Sequence, residues 1–158
     1  MAKRAKKGRK EKVKKKIAKQ FSVLKELEPV KKTRIKVVGV GGGGSSIISE
    51  ISADVKKADF VAVNTDLKAL KEISRKVKRF PIGQNTTRGL GTGMSVELGF
   101  LAAKEDAEKL KKLLQGQDLL ILVASLGGGV GSGAAPALAK ISKSLGSITY
   151  GIFTLPFQ

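Results

Sequence analysis

Two clusters of glycine constrain this 158-residue chain more than any other feature, because each sits between a short apolar run and a helical stretch. Gly39-Val40-Gly41-Gly42-Gly43-Gly44 overlaps the end of the run 35–40, and Gly127-Gly128-Gly129-Val130-Gly131-Ser132-Gly133 follows the run 119–125. Such strand–glycine–helix junctions punctuate alternating α/β structure. Near-continuous apolar runs such as LLILVA (119–124) suit parallel strands buried on both faces, with right-handed crossovers carrying helices to either side. The pattern predicts strands at 35–40, 60–64, 79–82, 119–125 and 148–154, and helices at 45–55, 66–74, 95–115 and 133–145. The expected fold class is α/β: a Rossmann-like three-layer fold with a mainly parallel sheet, preceded by a basic, partly helical N-terminal tail.

Glycines let a backbone approach a phosphate closely, and the free N–H groups and dipole of a helix start favour negative charge. The first cluster satisfies GxGxxG, and Asp66 lies 22 positions after Gly44 at the end of the second predicted strand, as a dinucleotide-binding unit requires. Taken alone, that favours an NAD-type site. The second cluster points instead to more than two phosphates. Neither run is followed by the lysine of a GxxxxGK[ST] loop, so the phosphates are expected to be held mostly by backbone. A third segment, Thr87-Arg88-Gly89-Leu90-Gly91-Thr92-Gly93, is placed to close over a terminal phosphate, with Arg88 either joining it or pairing on the surface.

Composition narrows the chemistry further. The chain has no Cys and no His, which excludes disulfides, thiolate chemistry, the usual zinc ligands and a histidine general base. No apolar run approaches the roughly 20 residues that cross a bilayer, and the basic N-terminus lacks the apolar stretch of a secretory leader, so a cytoplasmic address is expected. Lys and Arg number 31 against 13 Asp and Glu, a net charge of +18. Residues 1–34 hold 15 basic and 3 acidic side chains, net +12, so two thirds of the excess is in the tail. Val13, Ile17, Phe21 and Leu24 give 10–28 the stripe of an amphipathic helix, ended by Pro29, while 1–10 has no such stripe and is expected to be disordered. A helix of this kind suits an anionic membrane or a nucleic-acid backbone, and equally a solvated arm.

The order and spacing of the three loops resemble the N-terminal GTP-binding domain of the tubulin and FtsZ family. The likeness rests on IKVVGVGGGG (35–44), FVAVNTD (60–66), TRGLGTG (87–93), GGGVGSGAAP (127–136) and TLPF (154–157), and it spans 35–157. The resemblance divides the chain into a tail, 1–34, and a GTP-binding domain, 35–158, that stops before the family's central helix.

The resemblance implies GTP or GDP as ligand, with Mg2+. Gly41, Gly42, Gly43, Gly44 and Ser45 take the place of the loop along the α- and β-phosphates, with Ser46 where asparagine is usual. Gly127, Gly128, Gly129, Val130, Gly131 and Ser132 take that of the second phosphate loop, with Val130 and Ser132 at two threonine places. Asn64 and Asp66 match the segment near the terminal phosphate, Asp66 holding magnesium through water. Thr92, Gly93, Met94 and Ser95 match the loop that senses that phosphate. The base-reading helix and the acidic loop that completes hydrolysis in a neighbouring subunit have no counterpart in these residues. The expectation is therefore a fragment or split half of a cell-division or cytoskeletal GTP-binding protein. Its hydrolysis would need that missing half or a neighbouring FtsZ-like subunit. The alternative is a non-hydrolysing regulatory module tethered to nucleic acid or anionic membrane by its tail.

Overall fold

A computed structural model describes residues 14, 15 and 32–156. The chain divides into two units, Met1–Lys32 and Thr33–Gln158. Of the first, only Lys14, Lys15 and Lys32 are described, all exposed and the first two helical; the rest of the expected tail helix at 10–28 and the disorder expected at 1–10 lie outside the described residues.

The second unit is built on five strands, β1 (Ile35–Val40), β2 (Asp59–Asn64), β3 (Lys78–Pro81), β4 (Leu119–Ser125) and β5 (Ile148–Thr154). They form one sheet in the order β3-β2-β1-β4-β5, with every pairing parallel. Helices α1 (Gly41–Ile51), α2 (Leu67–Glu72), α3 (Gln84–Thr87), α4 (Val96–Glu105), α5 (Ala107–Leu114) and α6 (Gly129–Ser144) connect them. Alternation along the central strands sends side chains to two separate cores. On one face Val37, Phe60, Ala62 and Val123 meet Ile48 of α1 and Leu70 of α2. On the other Val38, Val40, Val61, Val63, Leu120 and Leu122 meet Ala102 of α4, Leu110 and Leu114 of α5, and Leu138 of α6. The result is the three-layer, Rossmann-like architecture read from the sequence.

The first two helices end earlier than expected, α1 at Ile51 rather than 55 and α2 at Glu72 rather than 74, and three further differences have a tertiary reason. The first and last helices start at Gly41 and Gly129, four residues earlier than expected, so the glycines form first turns rather than loops. Glycine disfavours helix by about 1 kcal/mol per residue, but here a β-carbon on Gly44 would collide with the carbonyl of Val123 and one on Gly131 with that of Ser125. Only a bare backbone packs against the strand ends this closely. The long helix expected at 95–115 is broken at Asp106 (φ −103°, ψ 21°). Asp106 is 3% exposed; its Oδ2 accepts from the N–H of Gly83 at 2.8 Å, and its Oδ1 pairs with the ammonium of Lys109 at 2.5 Å. The short helix α3 was not expected. The carboxylate of Glu105 holds its N-terminus, accepting from the backbone N–H groups of Asn85 (3.1 Å) and Thr86 (3.0 Å) and the hydroxyl of Thr86 (2.7 Å).

Lys36 is buried in β1, which pushes its pKa down; the nearby carboxylate of Asp59 opposes the shift and Lys78 reinforces it. Its ammonium donates to the carbonyl of Leu113 at 2.6 Å, at the carbonyl-rich end of α5 where a cation is favoured.

Candidate functional site

The chain runs from β1 outward to β2 and β3 and then crosses to β4 on the other side of β1, so the sheet's direction of growth reverses between β1 and β4. Ligands of open parallel sheets bind beyond the carboxyl ends of the strands at such a reversal. Both glycine clusters lie there, because α1 begins directly after β1 and α6 four residues after β4. Neither helix start is capped by a side chain: the N-cap residues are Val40 and Gly128. The first amides of both helices thus keep hydrogen-bonding capacity for an anion.

The two turns touch. Gly41 has φ +73°, and a β-carbon on it would lie 2.9 Å from the amide nitrogen of Gly131. A β-carbon on Gly129 would collide with Thr92 Oγ1, and one on Gly43 with Ser125 Oγ. At Gly42, Gly93 and Gly128, by contrast, nothing lies within 4 Å of the missing β-carbon. Gly42 and Gly128 also have backbone angles open to any residue. Neither packing nor conformation calls for glycine at these two positions, and both border the cleft.

That cleft has a volume of about 290 Å³, near the lower end of the ~300–1,000 Å³ typical of small-molecule sites. Of the residues singled out in the sequence, Gly41, Gly42, Gly43, Asn64, Asp66, Thr92, Gly93, Met94, Gly128, Gly129, Val130 and Gly131 line it. Six do not. Gly44 is buried against β4. Ser45 and Ser46 face a second cavity of about 310 Å³ beside α1 and α2, the Ser46 hydroxyl donating to the carbonyl of Gly42 at 3.1 Å. Ser95 caps α4 by accepting from the N–H of Leu98 at 3.2 Å. Gly127, with φ +97°, lies against Pro156. Ser132 turns its hydroxyl back to accept from the N–H of Gly127 at 3.1 Å, which closes the second turn on itself.

Val40 of the first glycine cluster and Gly91 of the third segment also line the cleft, as do Ala69 and Ser125, which the sequence reading missed. Ser125 carried a signal, a polar residue ending an apolar strand just before a glycine turn. Ala69 is indistinguishable in sequence from a packing residue.

The electrostatics are sparse. Among the described residues no Lys or Arg lines the cleft, and Asp66 is the only ionisable side chain that does. Arg88 stands at the end of α3 in a left-handed conformation and does not reach the lining. Asp66 Oδ1 caps α2, accepting from the N–H groups of Lys68 at 2.8 Å and Ala69 at 3.1 Å. Asn64 is buried and its Oδ1 accepts from the N–H of Thr65 at 2.8 Å. Met94, 76% exposed and at φ +66°, projects from the loop at the rim. No cluster of three or more acidic residues able to cage a metal exists among the described residues. A cation here would need most of its ligands from phosphate oxygens and water, a coordination that suits magnesium.

A doubly wound parallel sheet with two bare-backbone helix starts at its reversal point defines a Rossmann-like α/β domain. The family model described as Tubulin/FtsZ family, GTPase domain, matches residues 34–158. The chain belongs to the tubulin/FtsZ family. Among solved structures, an empty FtsZ dimer from M. jannaschii is 39% identical, with a TM-score of 0.77 over 88% of this chain and 40% of that one. GDP-bound monomeric CetZ1 from Haloferax volcanii is 30% identical, with a TM-score of 0.68 over 78% of this chain and 42% of that one. TubZ from Clostridium botulinum phage c-st, 20% identical with a TM-score of 0.67 over 79% of this chain and 41% of its own, shares the fold. The chain spans about two fifths of the length of the FtsZ structures it matches.

Proposed function

We propose that the domain 35–158 binds GTP and GDP in this cleft, as the nucleotide-holding part of a filament-forming cytoskeletal or cell-division protein of the cytoplasm. The observation that carries the reading is the open space above Gly42 and Gly128, where glycine is explained by a ligand's approach and by no contact among the described residues. The first-turn amides of α1 and α6 hold the phosphates, with Gly41, Gly42, Gly43, Gly128, Gly129, Val130 and Gly131 as contact positions. Gly44, Ser45, Ser46, Gly127 and Ser132 shape those turns from behind. Asn64, Asp66, Thr92, Gly93 and Met94 form the side towards the terminal phosphate, with Ser95 behind them at the start of α4. The relative solved with GDP bound supports a guanine nucleotide.

Magnesium fits the free oxygen of Asp66 through water, and when bound it neutralises phosphate charge. Asp66 is the only carboxylate lining the cleft among the described residues, and its other oxygen is held by α2. Hydrolysis therefore depends on acidic groups from a longer form of the chain or from an adjoining FtsZ-like subunit. The +12 tail supports a second role, in which residues 1–34 tether the domain to nucleic acid or anionic membrane. Binding that is insensitive to salt and unchanged on removal of 1–32 would refute the tether.

Thermal unfolding tests the nucleotide reading. GTP or GDP with magnesium at 100 times Kd should add about 2.7 kcal/mol to stability. No shift with either, or a shift with NAD alone, would contradict it.

A further inference from the structure

The cavity of about 310 Å³ beside α1 and α2 is acidic on a strongly basic chain. Glu50 and Glu72, two of the chain's 13 acidic residues, line it, and among the described residues no Lys or Arg does. Neither carboxylate makes a hydrogen bond or an ion pair among the described residues. Both stand in the last turn of their helices, Glu50 in α1 and Glu72 in α2, and α1 has no basic residue there. The carbonyl-rich end of a helix disfavours an anion and favours a cation, so the two helix ends add to the negative potential of the carboxylates.

Two exposed carboxylates are by themselves a solvated surface. Ser45 makes the difference. It also lines the cavity, is 2% exposed, and its hydroxyl is buried with no hydrogen-bond partner among the described residues. A buried hydroxyl left unpaired is costly, and in a native fold such a group calls for a partner. One turn further along α1, Ser49 also faces the cavity, its Oγ held in place by accepting from the N–H of Ser74 at 2.8 Å. Ala69 and Ile73 supply an apolar wall.

Carboxylates, hydroxyl oxygens and an apolar wall are complementary to a charged nitrogen group on a short carbon stem. The N–H groups of an alkylammonium or a guanidinium donate to the oxygens while the stem packs on Ala69 and Ile73. A bare metal ion suits the place less well. Among the described residues no third acidic, His or Cys side chain joins the two carboxylates, and the space far exceeds an ion.

We propose that this cavity binds an organic cation, an alkylammonium or guanidinium group held by Glu50, Glu72 and Ser45. The group comes either as a small free amine or as a Lys or Arg side chain of a second copy of the chain, which carries 31 of them. The cavity borders the phosphate cleft at Gly42 and Ala69, which line both. An occupant neutralises two carboxylates beside a bound polyanion, so cation and nucleotide each strengthen the other's binding. That coupling, unlike the cation site itself, rests on the nucleotide reading above.

The test is NMR titration of the full chain with agmatine, which carries one group of each kind. Backbone amides of residues 45–50 and 69–73 should shift saturably. Exposed ion pairs are modest, so Glu50→Gln and Glu72→Gln should each raise Kd about two- to fivefold. Ser45→Ala should raise it too without lowering the ligand-free melting temperature, because it removes an unpaired hydroxyl. Glu108→Gln, which alters an exposed carboxylate on α5, should leave Kd unchanged. No saturable shift at these residues, an equal loss in Glu108→Gln, or an unchanged Kd in the variant carrying both Glu50→Gln and Glu72→Gln would overturn the proposal. Sedimentation velocity separates the two sources. Self-association abolished both by agmatine and in that double variant assigns the group to a second copy; any other behaviour alongside agmatine binding assigns it to a free amine. Saturating agmatine should lower the Kd for GDP, and an unchanged value overturns the coupling. A chain that binds agmatine as expected but no guanine nucleotide would instead sink the nucleotide reading and uphold the cation site.

Discussion

The amide nitrogen of Gly131 lies so close to Gly41 that a β-carbon on Gly41 would be 2.9 Å from it, which locks the starts of α1 and α6 together as one surface. Gly41→Ala is expected to break that contact and to strain a backbone at φ +73°. Each effect costs on the order of 1 kcal/mol or more. Chemical denaturation should show the loss of stability, and nucleotide binding should weaken with it because the two turns separate.

Asp66 carries a structural role separable from any ligand. Its Oδ1 satisfies two amides at the start of α2, and loss of such a cap costs about 0.5–2 kcal/mol. Asp66→Ala should lower stability by that amount without nucleotide. Asp66→Asn, which keeps a cap acceptor, should recover most of the stability and leave magnesium-dependent binding weakened. Equal magnesium dependence in Asp66→Asn and the unmodified protein would remove Asp66 from the metal.

Asp106 joins β3's exit to the break between α4 and α5 through a buried bond to the N–H of Gly83. Leaving that buried donor unpaired costs about 1–3 kcal/mol. Asp106→Ala should therefore destabilise the domain by about that much, measured by urea unfolding, while the Kd for nucleotide at low temperature stays within about twofold.

Glu105 gives the fold a pH dependence. Hydrogen bonds from the Thr86 hydroxyl and from the amides of Asn85 and Thr86 hold its carboxyl below the ordinary value of 4.5. The folded state thus favours the charged form. Its contribution is fully present above 4.5 and is lost as pH falls through the lowered value. The melting-temperature gap between the unmodified protein and Glu105→Gln should be open at neutral pH and close in strong acid. A gap that persists unchanged at low pH would contradict this.

The strands were legible because buried parallel strands leave a signature that local sequence cannot hide. The runs 35–40, 119–125 and 148–154 are β1, β4 and β5, and the glycine or polar residues bounding them mark their ends. The starts of α1 and α6 were not legible, because glycine reads locally as a loop and becomes helical here only through contact with Val123 and Ser125. The break at Asp106 is likewise invisible in an apolar stripe that runs through it, since its cause is an amide 23 residues away.

The candidate site divides along the same line. Which glycines lie near the strand ends follows from their order in the chain. Which of them the packing requires, and which stand open above a cleft, depends on atoms from β4, the loop before α4 and the opposite turn. Gly42 and Gly44 are two residues apart on α1, which turns them about 200° from each other, so one faces the cleft and the other the sheet. The Ser132 hydroxyl oxygen accepts within its own turn and lies outside the cleft lining, while Ser125 reads as the end of a strand and lines the cleft.

The most direct test of the cleft as a guanine-nucleotide site is titration of GDP into the unmodified protein and into Gly42→Ala and Gly128→Val. At both positions a new β-carbon meets nothing within 4 Å and the backbone is unstrained, so both variants should still fold, which their melting curves check. The account predicts saturable binding by the unmodified protein and loss of about tenfold or more in affinity in each variant, because the added atoms occupy the phosphate's place. Undiminished GDP binding in both variants would contradict it.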